Sequence, residues 1–297
     1  MLKNNPLMLL MKVLGRVRYL KEARNVRTLW MSYHFIIRYL KWKDNERYVA
    51  VGNNDCVKTN KTIWVYWKQG LDNAPDLVKK CVNSIYKHSG DYDVIVLDEK
   101  NLSHYIELPD FINAKHDKGI IKEALYSDLL RISLIIRYGG IWCDATCFWT
   151  NSIPQYVEKA PFFMFSESMM MSNVTPIVGS SWFLKGCKND VILSKTRNCL
   201  FNYWAYHNNL PNYFIFHLML SALVKTDPEC CEKWKRVPYV CNMNPHTLQL
   251  HFSYPYMEGC YNAYKDSCFI HKLTYKYDKA LLDSKEENML QYFFNNE

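Results

Sequence analysis

Residues 127–146 read SDLLRISLIIRYGGIWCDAT, an apolar stretch that nevertheless carries Asp128, Arg131 and Asp144. A charge in such surroundings is costly unless it is paired or bound to an ion. Asp128 and Arg131 are i and i+3, neighbours on one face of a helix. Two roles are therefore open to them: an ion pair that braces the fold, or a pair that faces a charged ligand. Asp144 has no basic partner close in sequence and follows Gly139-Gly140, where the backbone admits a close approach. A carboxylate so placed protonates unless something positive meets it.

The elements that must position these groups follow from periodicity. TIWVYW (62–67) is a short β-branched and aromatic run of the buried-strand type, DVIVLD (93–98) is a second, and 141–143 a third. Pro75 opens a helix whose apolar face is Val78, Cys81, Val82 and Ile85. The stretch 120–138 predicts a long helix, apolar nearly all round and hence buried, closed by Gly139-Gly140. Strands alternating with helices predict an α/β fold with a mostly parallel sheet covered on both faces. In such a sheet, ligands bind beyond the carboxyl ends of the strands. Lys68 and Gln69, Asp98, and Asp144 with Thr146 are delivered to that edge. Tyr66 and Trp67, at the end of the first strand, bring aromatic surface to that edge, with core packing as the plain alternative. Further on, 162–165 and 181–184 read as strands, 189–206 and 213–224 as helices, and the Tyr-rich tail as irregular.

The net charge is +8 over 297 residues, and its placement is uneven. Residues 1–47 hold eleven Lys or Arg against Glu22, Asp44 and Glu46, a balance of +8, so residues 48–297 are neutral by formal count. Leu10, Val13, Leu14, Val17 and Leu20 share one helical face, and Trp30, Tyr33, Ile37 and Leu40 lie near helical spacing in a second run. Basic amphipathic helices of this kind lie on anionic membrane surfaces; a hairpin docked on the main domain is the alternative. Nucleic acid is not expected as a partner, because nothing beyond charge resembles a reading helix or an aromatic-studded sheet. The expected division is 1–60, a basic helical segment with a polar linker at 48–60, and 61–297, the main domain. No stretch reaches the ~20 apolar residues that span a bilayer, and no signal-peptide pattern opens the chain. Eleven irregularly spaced cysteines without a C-x-x-C pair read as thiols in a reducing cytosol.

Several motifs, in order, carry a resemblance: IWVYWKQG with Ala74-Pro75, SDLLR (127–131), YGGIWCDAT (138–146), SSW (180–182) and IHKLTYK (270–276). Together they resemble the capsular polysaccharide synthesis family, glycosyltransferases allied to the DxD-containing sugar transferases. The resemblance implies a GT-A-like fold, a nucleotide-sugar donor and a divalent metal, manganese or magnesium, at the donor diphosphate. It places Asp144 at the first Asp of the DxD signature and Thr146 at the second, where a hydroxyl replaces a charge. His271 is then a further metal ligand and Lys272 a phosphate contact. Asp128 would touch the donor sugar and Arg131 would hold Asp128 or a phosphate. Tyr66, Trp67, Gln69 and Gly140 would complete the donor side, and Glu167, Ser181 and Trp182 the acceptor side. The implied acceptor is a bacterial surface glycan, capsular or lipopolysaccharide-type and lipid-linked, with retention of anomeric configuration. The expected location is cytoplasmic, peripheral on the inner face of the bacterial membrane. The departure at Thr146 keeps a rival open: a protein that binds or hydrolyses a nucleotide sugar without transferring it.

Overall fold

The protein is described by a computed structural model over residues 25–40, 61–171 and 174–297. The first amphipathic run and the linker at 48–60 lie outside the described residues. β1 (Thr62–Tyr66) is parallel to β2 (Asp93–Leu97) on one side and to β3 (Gly140–Cys143) on the other. β5 (Phe162–Ser166) and β6 (Gly179–Gly186) pair antiparallel, and β6 is antiparallel to β3. The sheet order is β2-β1-β3-β6-β5, so every strand but β6 runs the same way. A two-stranded sheet joins β4 (Cys147–Trp149) to β7 (Ile270–Lys272).

Period-two alternation explains why β1 is apolar without a break. Trp64 faces one core layer, while Ile63 and Val65 face the other. β2 is an edge strand and only Leu97 in it is fully buried, a departure from the buried strand expected there. On the Trp64 side pack α4 (Glu123–Tyr138), α6 (Val191–Tyr206) and α7 (Ile215–Thr226). Of the sixteen residues of α4, twelve are buried, Asp128 and Arg131 among them; this helix is central and its charges must be matched. On the opposite side lie α2 (Asp76–His88) and the small sheet.

The tail expected to be irregular is largely helical. α8 (Pro228–Trp234), α9 (Met243–Leu250), α10 (Glu258–Asp266) and α11 (Met289–Asn296) occupy it, beside the short α3 (Asp110–Asp117) and α5 (Gln155–Glu158) earlier in the chain. The Tyr and Phe residues of α10 and α11 form a third cluster around Phe293, Tyr261 and Phe148. Residues 25–40 form a helix, α1. Its Tyr33, Ile36 and Tyr39 are buried in the core shared with α4 and α6, and the Tyr39 ring meets Tyr203 at 5.6 Å. This part of the basic segment docks on the main body, while Met31 and Phe35 stay exposed.

Gly140 shows why the strand before Asp144 begins with a glycine. It has φ 97°, and a Cβ there would lie 2.3 Å from the Thr62 carbonyl oxygen. Gly140→Ala is therefore expected to cost about 2–4 kcal/mol in urea unfolding, from backbone strain plus overpacking. Gly90, with φ 61° and open space around it, is the control: Gly90→Ala should cost about 1–2 kcal/mol from strain alone.

Candidate active site

Beyond the carboxyl ends of β1 and β3 opens a cavity of about 800 Å³. Period two places Trp142 and Asp144 on the face of β3 that α4 covers. The Trp142 indole accordingly donates to Asp144 Oδ1 at 2.8 Å. From α4, Arg131 reaches the same oxygen with Nη2 at 3.3 Å. Arg131 Nη1 pairs with Asp128 at 2.9 Å and also donates to the Ser181 hydroxyl. The guanidinium lies 5.1 Å from the centre of the Trp142 ring, a cation–π contact. Lys272, at the end of β7, closes the group: its Nζ stands 2.9 Å from Asp144 Oδ2 and 2.6 Å from Thr146 Oγ1.

These neighbours set the charges. Burial raises the Asp128 pKa to about 6, against the opposing pull of Arg131. Burial also works to raise Asp144, but Lys272 and then Arg131 overcome it, and the carboxyl is held below its ordinary value. For Lys272, burial works against the charge, yet Asp144 prevails and its pKa is raised. Two anions and two cations thus balance at the floor of the cavity.

Tyr66, Trp67 and Gln69 line the same cavity. The Tyr66 hydroxyl donates to Glu123 at 3.0 Å. Trp67 meets Tyr275 edge-on at 5.4 Å, and its indole N–H is buried with no hydrogen-bond acceptor among the described residues. Asp128, Arg131, Asp144, Thr146, Ser181 and Lys272 complete the gathering of sequence-predicted residues. Others fall elsewhere. His271 is fully buried and faces away from Lys272 because the two are adjacent on a strand; its Nε2 lies 2.8 Å from the Lys265 carbonyl. Gly140 sits at the amino end of β3, against Thr62, and not at the cavity. Trp182 stacks on Phe165 at 4.7 Å in the opposite core layer. Glu167 lines a separate 300 Å³ pocket with Tyr239. Asp98 closes a turn by accepting from the backbone of Lys100 and Asn101, both at 2.9 Å.

Tertiary packing also adds residues that periodicity passed over. His217 of α7, Tyr213 and Tyr275 line the cavity. Burial, then Arg131, lowers the His217 pKa to about 3, and its Nδ1 is buried without a partner among the described residues. A lone histidine in the apolar run IFHLML was its only signal.

Residues 17–293 match the model of the capsular polysaccharide synthesis protein family. The chain belongs to this family. The match takes in α1, which the motif resemblance left outside. Two curated fungal relatives align over shorter stretches. O-glycosyltransferase braB of Annulohypoxylon truncatum is 32% identical over 101 residues, 31% of this chain and 24% of that protein. O-glycosyltransferase PaGT of Phomopsis amygdali is 24% identical over 161 residues, 50% of this chain and 39% of that protein. The chain thus spans well under half the length of either. Among solved structures, the PaToxG glycosyltransferase aligns with a TM-score of 0.39 at 14% identity, covering 73% of this chain and 84% of that one.

The divalent metal implied by the resemblance does not fit the residues present. Both oxygens of Asp144 already meet cations, and the Thr146 hydroxyl accepts from Lys272. His271 is turned away, and among the described residues no three His, Cys, Asp or Glu side chains gather as a metal site.

Asp128→Asn should leave stability at neutral pH within about 1 kcal/mol of the parent. The raised pKa, from 3.8 to about 6, means ionised Asp128 opposes folding there by ~3 kcal/mol. The gain from removing that charge is roughly offset by the ~1–3 kcal/mol cost of a buried Asn amide NH2 facing donors that cannot accept from it. Arg131 is not stranded, since Asp144, Ser127 and Ser181 remain to it. The contribution of Asp128 is fully present below its unfolded pKa and is lost as pH rises through about 6. Urea melts of the parent should show that slope across this window, and the variant should lack it. Arg131→Met, which leaves Asp128 uncompensated, should cost ~3–5 kcal/mol.

Proposed function

We propose that the chain is a glycosyltransferase that moves a sugar from a nucleotide-sugar donor to a hydroxyl of a glycan acceptor. One observation carries the reading: Arg131 and Lys272 stand together at the floor of a cavity of about 800 Å³. That cavity lies beside β1, from which β2 and β3 depart to opposite sides, the position where open α/β sheets bind ligands. In the transfer, the bond from sugar C1 to the diphosphate oxygen breaks and its electron pair stays on that oxygen. The acceptor oxygen bonds to C1 and its proton is lost to water. Fixed cations stabilise the charge that grows on the phosphate.

Trp67 and Tyr275 offer aromatic surface for the base, with Gln69 beside them, and Tyr66 buttresses the wall through Glu123. Asp128 accepts from hydroxyls of the donor sugar, and Ser181 with His217 lies on the acceptor side. Family membership and the names of the two fungal relatives, both O-glycosyltransferases, support the reaction class. The family's description, capsular polysaccharide synthesis protein, supports a polysaccharide acceptor; a bacterial, lipid-linked acceptor and retention of configuration rest on the motif resemblance.

The membrane is the second partner. Residues 1–24 contain six Lys or Arg against Glu22, a balance of +5, and they precede a helix that exposes Met31 and Phe35. Among the described residues, no helix is long and apolar enough to cross a membrane. The basic excess of residues 1–24 supports electrostatic attachment to an anionic surface, on the cytoplasmic face.

A thermal-shift screen against UDP- and GDP-sugars tests the donor. A matching donor at ~100 times its Kd should stabilise the fold by ~2.7 kcal/mol, and Trp67→Ala should weaken it by ~1–3 kcal/mol of stacking. No shift with any nucleotide would refute the reading, and donor turnover unaffected by glycan acceptors would favour a hydrolase. Sedimentation with anionic vesicles tests the membrane. Binding should be released by high salt and lost on removal of residues 1–24; equal binding to neutral vesicles would exclude the electrostatic mode.

A further inference from the structure

The ammonium of Lys272 lies between the two side chains that the motif resemblance sets at the DxD positions, 2.9 Å from Asp144 Oδ2 and 2.6 Å from Thr146 Oγ1. Those are the oxygens a divalent ion would share. The other oxygen of Asp144 is taken by the Trp142 indole at 2.8 Å and by Arg131 at 3.3 Å. A divalent ion at Asp144 would have to displace one of two cations that stay tethered beside it, and like charges at close range in a desolvated floor repel. Thr146 contributes no charge to hold such an ion, and hard divalent cations rely on carboxylates. The group Asp128, Arg131, Asp144 and Lys272 is already neutral before any donor arrives.

We infer that Lys272 takes the part of the divalent cation in this protein, so that donor binding and turnover proceed without metal. The inference rests on the nucleotide-sugar reading above and says how its site meets the diphosphate. Lysine is suited to the task as a compact point charge for phosphate. Lys272 retains about a fifth of its side-chain exposure, and Arg131 stands on the far side of the same carboxylate. The charge that develops on the departing phosphate oxygen then meets Lys272 and Arg131, and no co-reactant is needed. Asp144 and Thr146 act as positioning residues: they fix the ammonium at the mouth of β3.

Calorimetric titration of the full chain with UDP, GDP and inorganic pyrophosphate, in chelator and again with manganese, tests this. At least one probe should bind with a Kd that differs by less than about threefold between the two conditions. Lys272→Met should weaken that binding on the order of 100-fold in chelator. Manganese should restore part of the loss in the variant, because both oxygens are then released. Manganese electron paramagnetic resonance should show uptake by Lys272→Met and none by the parent in the absence of nucleotide. Parent binding that collapses in chelator and returns with manganese would overturn the inference while leaving the nucleotide-sugar reading intact. A Lys272→Met protein that binds the probes as the parent does in chelator would also overturn it. Failure of all three probes in both conditions would overturn both.

Discussion

One carboxylate, Asp144, is held by cations from two distant parts of the chain. Arg131 reaches it from α4 and Lys272 from β7. Neither contact is available locally, so the site exists only when the helix, the central sheet and the small β4–β7 sheet are all in place. Charges removed from water are stable together only if each is matched. Arg131 answers this demand by serving Asp128, Asp144 and two serine hydroxyls at once. Trp142 adds a hydrogen bond to the anion and a ring beneath the guanidinium. The apolar cover on α4 makes the network costly to break, and its arrangement correspondingly specific.

The cavity inherits its chemistry from that network. Its floor is balanced but polarised: cations and anions stand at fixed places without solvent reorganisation, the condition under which charge stabilisation is strongest. Its wall is aromatic, from Trp67 to Tyr275. Tyr66 and Glu123 form part of that wall, and Glu123 also engages His116 and Lys68. A ligand with an anionic centre and a flat, partly apolar end matches both surfaces.

Period two on short strands explains why neighbours in sequence parted company. Lys272 faces Asp144, so His271 must face inward toward the Lys265 carbonyl. Ser181 turns to Arg131 while Trp182 turns to Phe165. Gly140 and Asp144 lie at opposite ends of β3, and only the carboxyl end opens on the cavity. Gly140 instead lets β3 approach Thr62.

Local pattern was enough for β1, β2, β3, the central helix and the helices α6 and α7, because each is long or apolar enough for its period to be read. It was also enough to single out Asp128, Arg131, Asp144 and Thr146, since charged or polar residues stand out in an apolar run. The helices of the tail were not legible, because α8 to α11 are short and rich in Tyr, Asn and Lys; their stability comes from packing around Phe293 and Tyr261. Nor could sequence decide what meets Asp144. Arg131 is thirteen residues away and Lys272 is 128 away. Their convergence depends on the register of β4 against β7, which sets Cys147 opposite Lys272. A shift of one residue would have presented His271 instead, so residue types were determined by the sequence, but the cation at the carboxylate was decided by strand pairing.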